Sequence, residues 1–364
     1  MDGSKPAEAV IGKVIEDLAA SLGVVTMALG LRAGLWTALA GAGPLTADEL
    51  ARRAGTAEPY AREWLKTQAA AGYVRYVDGR FELPAEVGAA LVHGPGGAML
   101  DACVSMLSAT GARFDAFERA LREGHGFGWH ERDARHWHGV DVLTRATVAP
   151  AFLVGAIEAL DGVADALRAG GAVLDVGCGF GAPTIMIGKA FPSARVVGCD
   201  YHDASIAAAR KAAAEAGVAD PVRFEVAAAK DAPGTGYALV VFVDSLHDLG
   251  DPVGALNHAR TLLAPGGRVL LVEPLAADRV EDNLTPVGRL FYAASTLFCT
   301  PTALAQEGTA LGALAGPRVL EEVARAAGFG QVCRVPVDAP FNLVLELRLS
   351  REEKADLVAF LREL

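Results

Sequence analysis

Cysteine is scarce and unpatterned. The five residues Cys103, Cys178, Cys199, Cys299 and Cys333 are odd in number, scattered, and include no Cys-x-x-Cys pair. That spacing excludes both a disulfide framework and a thiolate metal site. A basic excess is also missing: the net charge of −11 recommends neither a nucleic acid nor an anionic membrane as partner. No apolar leader is flanked by arginine, and the longest apolar runs are broken by Gly, Asp or Pro well short of a membrane span. The expectation is a soluble, cytoplasmic protein. What is present, 52% hydrophobic and 21% charged residues over 364 positions, provides an ample core for two or three folded units.

The N-terminal part alternates helix and turn signals. Residues 7–40 carry helical periodicity. Thr46 with Glu49 three positions on has capping-box spacing for a helix through Ala54. Glu58–Ala71 reads as a further helix stopped by Gly72, and two short alternating runs around Asp78-Gly79 read as a hairpin. Helix, turn, helix, hairpin is a winged-helix layout. Residues 1–95 hold nine Lys/Arg and eleven Asp/Glu, a balance of −2. The would-be recognition helix pairs Arg62 and Lys66 with Glu58 and Glu63, so no basic face exists to neutralise phosphates. A dimerisation and substrate-covering module is the better reading.

Residues 96–168 read as a mostly helical linker with one odd interval. Between Glu123 and Gly139 lie four of the eight histidines and two of the four tryptophans. A metal site from His130, His136 and His138 has no recognised ligand spacing, so no metal is assigned. The interval is read as one wall of a ligand pocket, with Trp129 and His130 as candidate substrate contacts.

From Gly170 strands alternate with helices, the pattern of a parallel sheet. Strands are expected at Val173–Val176, Arg195–Cys199, Val222–Val226, Ala238–Val243 and Arg268–Val272, the last introduced by Ala-Pro-Gly-Gly at 264–267. A closing hairpin is expected from Val332–Val337 and Asn342–Leu349. The first strand runs into Gly177, Gly179 and Gly181, where missing Cβ atoms allow a ligand against bare backbone. Asp200, nineteen residues beyond Gly181, ends the second strand, where a carboxylate accepts bonds from ribose hydroxyls, and Tyr201 beside it suits stacking on a purine. Asp244-Ser245-Leu246-His247-Asp248 ends the fourth strand. A dinucleotide site wants Gly-x-Gly-x-x-Gly and a pyrophosphate on the helix N-terminus. Here the spacing is Gly-x-Gly-x-Gly, preceded by Asp175, an acid that repels a diphosphate and suits an ammonium group.

The run Leu174–Gly181 with Val197–Asp200 resembles the class I S-adenosylmethionine-dependent methyltransferases, over residues 165–350. Leu45–Ala54, Arg62–Leu65 and the hairpin resemble the winged-helix dimerisation domain of natural-product O-methyltransferases. Phe224–Asp231, Asp244–Pro252 and Val287–Ser295 resemble a closer bacterial subgroup, often labelled regulators. The resemblance implies an α/β fold: a Rossmann-like methyltransferase sheet at 169–350 with a lid insertion at 278–306, behind a winged-helix, mostly helical dimerisation domain at 1–95. The linker takes 96–168, and 351–364 form a C-terminal helix. It implies S-adenosyl-L-methionine as cofactor, with Gly177 and Gly179 at its methionine part, Asp175 at its amino group, Asp200 at the ribose and Tyr201 near the adenine. Asp244 and Ser245 complete that list. Relatives place an adenine-binding acid where this chain has Ala228, followed by Ala229 and Lys230, so backbone groups there or Asp231 must serve.

Leu246-His247-Asp248 matches the element in which plant-type O-methyltransferases hold their general base. Methylating a hydroxyl requires loss of one proton, and an imidazole suits that near neutral pH. Asp248 or Glu273 is placed to orient it. The alternative is that His247 caps the next helix or binds Asp251. In the insertion, Arg289, Tyr292 and Cys299 share one face of a regular helix and are candidate substrate contacts. The leading expectation is a homodimer that methylates a small molecule, most simply the oxygen of an aromatic or polyketide-like metabolite. N-, C- or S-methylation, or a non-methylating use of the cofactor, is the alternative on the same fold. An S-adenosylmethionine-sensing transcriptional regulator is the other.

Overall fold

The computed structural model describes residues 4–349; the expected C-terminal helix at 351–364 lies outside them. The chain forms two compact units. One takes the chain up to Gly111 together with Asp133–Ala146; the other takes Ala112–Arg132 and the chain from Thr147 onward. The interval expected as a single linker is therefore divided between them.

The first unit is the winged helix and its flanking helices. Helix Ser4–Arg32 ends at a left-handed Gly34 (φ 73°), so the periodic stretch expected over 7–40 is broken before Leu35–Leu39. Thr46 and Glu49 form the expected capping box: Thr46 Oγ1 accepts the Glu49 N–H at 3.2 Å and Glu49 Oε2 accepts the Thr46 N–H at 2.7 Å. Helix Glu58–Ala70 follows, then β1 (Arg75–Val77) and β2 (Arg80–Glu82). Asp78 and Gly79 between them have φ of 48° and 81°, both positive as a two-residue type I′ turn requires. The core is anchored by Trp36 and Trp64, edge to face at 4.8 Å, each donating its indole N–H to a carbonyl of the long helix, Met27 and Thr26.

One expectation fails here. Ala7–Arg32 forms a single helix long and apolar enough, by length and composition, to cross a membrane. The glycines at 12 and 23 do not interrupt it, because glycine inside a helix costs only about 1 kcal/mol.

The second unit is built on β3 (Ala172–Val176), β4 (Arg195–Asp200), β5 (Val222–Val226), β6 (Tyr237–Val243), β7 (Leu263–Pro274), β8 (Gln331–Arg334) and β9 (Asn342–Arg348). Their order is β5-β4-β3-β6-β7-β9-β8. The first five run parallel, β9 is antiparallel to β7, and β8 is antiparallel to β9. Alternate residues feed two cores. Val173, Val196, Leu239 and Leu270 pack on one face, and Leu174, Cys199, Val240 and Leu271 on the other. That two-sided burial is why these strands read as unbroken apolar runs. β7 begins earlier than expected, because Leu263 already pairs with Tyr237 before the Gly266-Gly267 turn. Winding leaves β3 in one direction toward β4 and in the other toward β6. That reversal opens a crevice at the strands' carboxyl ends.

Candidate functional site

Four strand ends meet at the crevice. After β3, Gly177, Gly179 and Gly181 have φ of 72°, 50° and 78°, values that residues with a Cβ rarely adopt. A Cβ on Gly177 would come within 2.7 Å of Ser245, and one on Gly181 within 2.5 Å of Phe224, whereas the space over Gly179 is open. Bare backbone is thus offered to a ligand at Gly179. Ser245, expected to touch the cofactor, braces this turn from behind. It is buried, and its hydroxyl donates to the Val176 carbonyl at 2.7 Å.

Asp175 is 1% exposed. Its Oδ2 accepts the Thr184 hydroxyl at 2.5 Å, while Oδ1 is buried without a hydrogen-bond partner. Burial pushes the carboxyl up to about 7, against the Thr184 bond and with the help of Asp200. An unpartnered buried acceptor of this kind fits a cationic donor such as an ammonium group. At the end of β4, Asp200 accepts the Gly179 N–H on Oδ2 at 3.0 Å and the His202 N–H on Oδ1 at 2.9 Å. Each oxygen keeps a second lone pair for a hydroxyl.

Trp129 and His130 stand beside the residues that follow β4. The His130 ring lies 5.3 Å from that of Tyr201 and 4.7 Å from that of His202, and Trp129 stands 6.4 Å from His202. The short turn Trp129–Glu131, closed by Glu131 Oε2 accepting the Gly128 N–H, places both rings over the end of β4. Ala229 and Lys230 lie on a turn after β5; Ala229 packs on the core and Lys230 is exposed.

At the end of β6 the buried His247 pairs through Nδ1 with Glu273 Oε2 of β7 at 2.5 Å. The other oxygen of Glu273 accepts the Leu246 N–H at 3.0 Å. His247 Nε2 lies 3.4 Å from Asp248 Oδ1, an oxygen that is buried and makes no hydrogen bond. Burial alone would push the imidazole down; Glu273, then Asp248, outweigh it and hold it well above the usual 6.5. The helix-capping alternative fails, because Asp251 itself caps helix Pro252–Leu262 by accepting the Gly254 N–H. Asp244 belongs to this charged group. At φ 48° it is held by Asn342, which donates to its Oδ1 at 2.9 Å, and burial with Glu273 nearby pushes its carboxyl up to about 7.

Of the three insertion residues, Cys299 reaches His247 and Asp248, the donor atoms of the three lying within 4.8 Å of one another. Arg289 is exposed on helix Pro286–Ala294 and Tyr292 is half-buried. The expected common face assumed an unbroken α-helix, but Ser295–Cys299 is a π-turn, whose extra residue rotates the chain beyond it.

The sequence reading missed Arg132. The residue is 5% exposed, and its guanidinium donates only to neutral oxygens: the carbonyls of Phe127, Leu297 and Phe298 and the Thr302 hydroxyl. Three phenyl rings, Phe117, Phe127 and Phe298, surround it at 5.6–5.9 Å. Among the described residues no ion pair includes it, and Nε has no partner. Burial lowers its pKa to about 10, with Asp248 and then Cys299 and Tyr201 opposing. A buried cation without a carboxylate of its own fits an anionic ligand group. Glu131 and Asp133 flank it in the sequence, and nothing in that local run marks it as buried.

Residues 174–269 match the Methyltransferase domain family, and residues 20–93 the Rv2258c-like winged HTH domain. The chain carries a methyltransferase domain behind a winged helix. It is 36% identical over 131 residues to the 27-O-demethylrifamycin SV methyltransferase of Amycolatopsis mediterranei, covering 34% of this chain and 48% of that protein. It is 28% identical over 132 residues to the methyltransferase GfsG of Streptomyces halstedii. The matches span about half the length of these curated relatives, 48% and 47%. Among solved structures, the mitomycin 7-O-methyltransferase MmcR superposes with a TM-score of 0.67 at 20% identity, covering 96% of this chain and 100% of that one. Human N-acetylserotonin methyltransferase in complex with S-adenosylmethionine superposes with a TM-score of 0.64 at 16% identity, covering 96% and 99%. At these identities the superpositions establish the fold.

Asp175 gives a measurable signature of the unliganded site. Its folded carboxyl keeps a proton up to about 7 that the unfolded chain gives up near 3.8, so it lowers stability as pH rises through that window. The Asp175→Asn variant should therefore gain thermal stability relative to the parent between pH 4 and 7, with no further gain above. A constant difference across that range, read by calorimetric melting, would contradict the assignment.

Proposed function

We propose that this chain binds S-adenosyl-L-methionine and methylates a hydroxyl of a small molecule, an aromatic or polyketide-like metabolite, with His247 as general base. The observation that carries the reading is the buried His247–Glu273 pair at the end of β6, beside the glycine turn. When bound, the cofactor supplies a methyl group on a sulfonium. Asp175 Oδ1 would accept from its ammonium, Arg132 would meet its carboxylate, Gly179 would give it backbone, and Asp200 would accept from its ribose hydroxyls, with Tyr201 toward the adenine. Glu273 fixes the ring and tautomer of His247 and stabilises its charged form after it takes the acceptor's proton. The names of the relatives, among them two O-methyltransferases of natural products, support an oxygen acceptor. The pairing of Arg62 with Glu58 and of Lys66 with Glu63 on the winged-helix segment supports a non-nucleic-acid role for it.

Calorimetry with S-adenosylmethionine should show one site per chain, with affinity lost on Asp200→Ala; no heat of binding to the parent chain would end the cofactor reading. His247→Ala should lower kcat on an oxygen acceptor by about 10²–10⁴-fold. Because Glu273 raises the imidazole, the rate should climb with pH through an apparent pKa above 6.5. Glu273→Gln should move that limb to lower pH while reducing kcat. A rate independent of pH in both proteins would show that proximity alone drives the reaction.

We infer further that the long N-terminal helix pairs two copies. Ile11, Ile15, Leu18, Leu22, Val25 and Leu29 are each at least 42% exposed and follow one another in steps of four and three. That is the heptad spacing of a two-stranded seam rather than all-round lipid exposure. Light scattering should give about twice 37.7 kDa for the parent chain, and the Leu18→Asp/Leu22→Asp variant should give the single mass. A monomeric parent at micromolar concentration would refute the dimer.

A further inference from the structure

The histidine-rich interval that sequence spacing could not explain acquires a partner set in the folded chain. We propose that His130, His202 and Asp203 form a binding site for a borderline transition-metal ion such as Zn²⁺, which staples the Trp129–Glu131 turn to the start of helix Asp203–Glu215. One donor atom from each of the three residues lies within 4.8 Å of the other two. Two imidazoles and a carboxylate, with water completing the shell, are a donor set that suits Zn²⁺, Ni²⁺ or Cu²⁺ and disfavours Ca²⁺ and Mg²⁺. Ligand atoms about 2.0–2.2 Å from a tetrahedral ion lie roughly 3.3 Å apart. The remaining closure of roughly 1.5 Å is within reach of the exposed His130 side chain.

The buried member is already oriented. His202 caps the helix, its Nδ1 accepting the Ser205 N–H at 3.3 Å and standing 2.8 Å from Ser205 Oγ. Binding an ion at Nε2 moves the imidazole proton to Nδ1, which then donates to Ser205 Oγ in place of accepting the Ser205 N–H, the arrangement that fixes metal-bound imidazoles elsewhere. Asp203 accepts the Ala204 N–H on Oδ1 at 2.7 Å, which leaves carboxylate lone pairs for the ion. The spacing His130…His202-Asp203 is invisible as a motif because seventy-one residues separate the first ligand from the second.

The test uses the untagged, metal-free full-length chain. Calorimetric titration with ZnCl₂ should give one ion per chain, and Cu²⁺ should quench part of the tryptophan emission, a part absent in Trp129→Phe because that ring lies 6.4 Å from His202. His130→Ala, an exposed change that leaves the core intact, should weaken Zn²⁺ binding by roughly tenfold or more, as should Asp203→Asn, since even outer partners of metal ligands are worth 10–100-fold. His125→Ala should leave binding unchanged. Substoichiometric binding overturns the proposal. So does binding that survives His130→Ala and Asp203→Asn but is lost on Cys299→Ala, which would place the ion at the His247, Asp248 and Cys299 cluster instead.

Discussion

A parallel sheet that reverses its winding direction between β3 and β6 leaves a gap which the sheet cannot fill itself. Crossover helices cover both faces, yet at the reversal they diverge, and the loops at the strand ends face open space. Everything chemically distinctive in the second unit follows from that geometry. Gly177–Gly181, Asp200, Asp244–Asp248 and Glu273 come from four separate strands and share one crevice because each sits at a carboxyl end.

The crevice concentrates charge that burial ordinarily forbids. Asp175, Asp244 and Glu273 are shielded carboxyls, His247 is a shielded imidazole and Arg132 a shielded guanidinium. Removing such groups from water costs several kcal/mol each unless a partner compensates. The His247–Glu273 pair and the Asp244–Asn342 contact do compensate. Asp175 Oδ1, Asp248 Oδ1 and Arg132 Nε do not. An unsatisfied acceptor and an unsatisfied cation are complementary to a ligand with both an ammonium and a carboxylate, the amino-acid tail of the proposed cofactor. The cost is carried by the surrounding sheet, whose two apolar cores meet along β3, β6 and β7.

How much of the site could be read beforehand depended on whether a residue's role is local. Gly177, Gly179 and Asp200 announce themselves, since a strand breaking into left-handed glycines and an acid at the next strand end are features of adjacent sequence. The place of His247 just beyond the fourth strand was legible for the same reason. The bond from the Ser245 hydroxyl to Val176, sixty-nine residues away, was not legible. That Trp129 and His130 meet the end of β4 was not legible, since which strand end a loop meets is set by chain path. Arg132 escaped notice because only packing reveals that its neighbours are three phenyl rings and not water. The Arg289, Tyr292 and Cys299 face dissolved where one π-turn changed the helical phase.

The sequence by itself determined the elements: two-sided apolar runs that must be buried strands, glycines that must be turns, a capping box and an Asp-Gly hairpin. These depend on backbone sterics and on periodicities of two to a few residues, which the order of side chains encodes directly. Tertiary structure alone decided which charges stand together. The pairing of His247 with Glu273, the isolation of Arg132 and the meeting of His130 with His202 join residues from 26 to more than 160 positions apart. Such encounters are set by strand order and by the paths of loops, and those depend on how the whole chain buries its apolar surface.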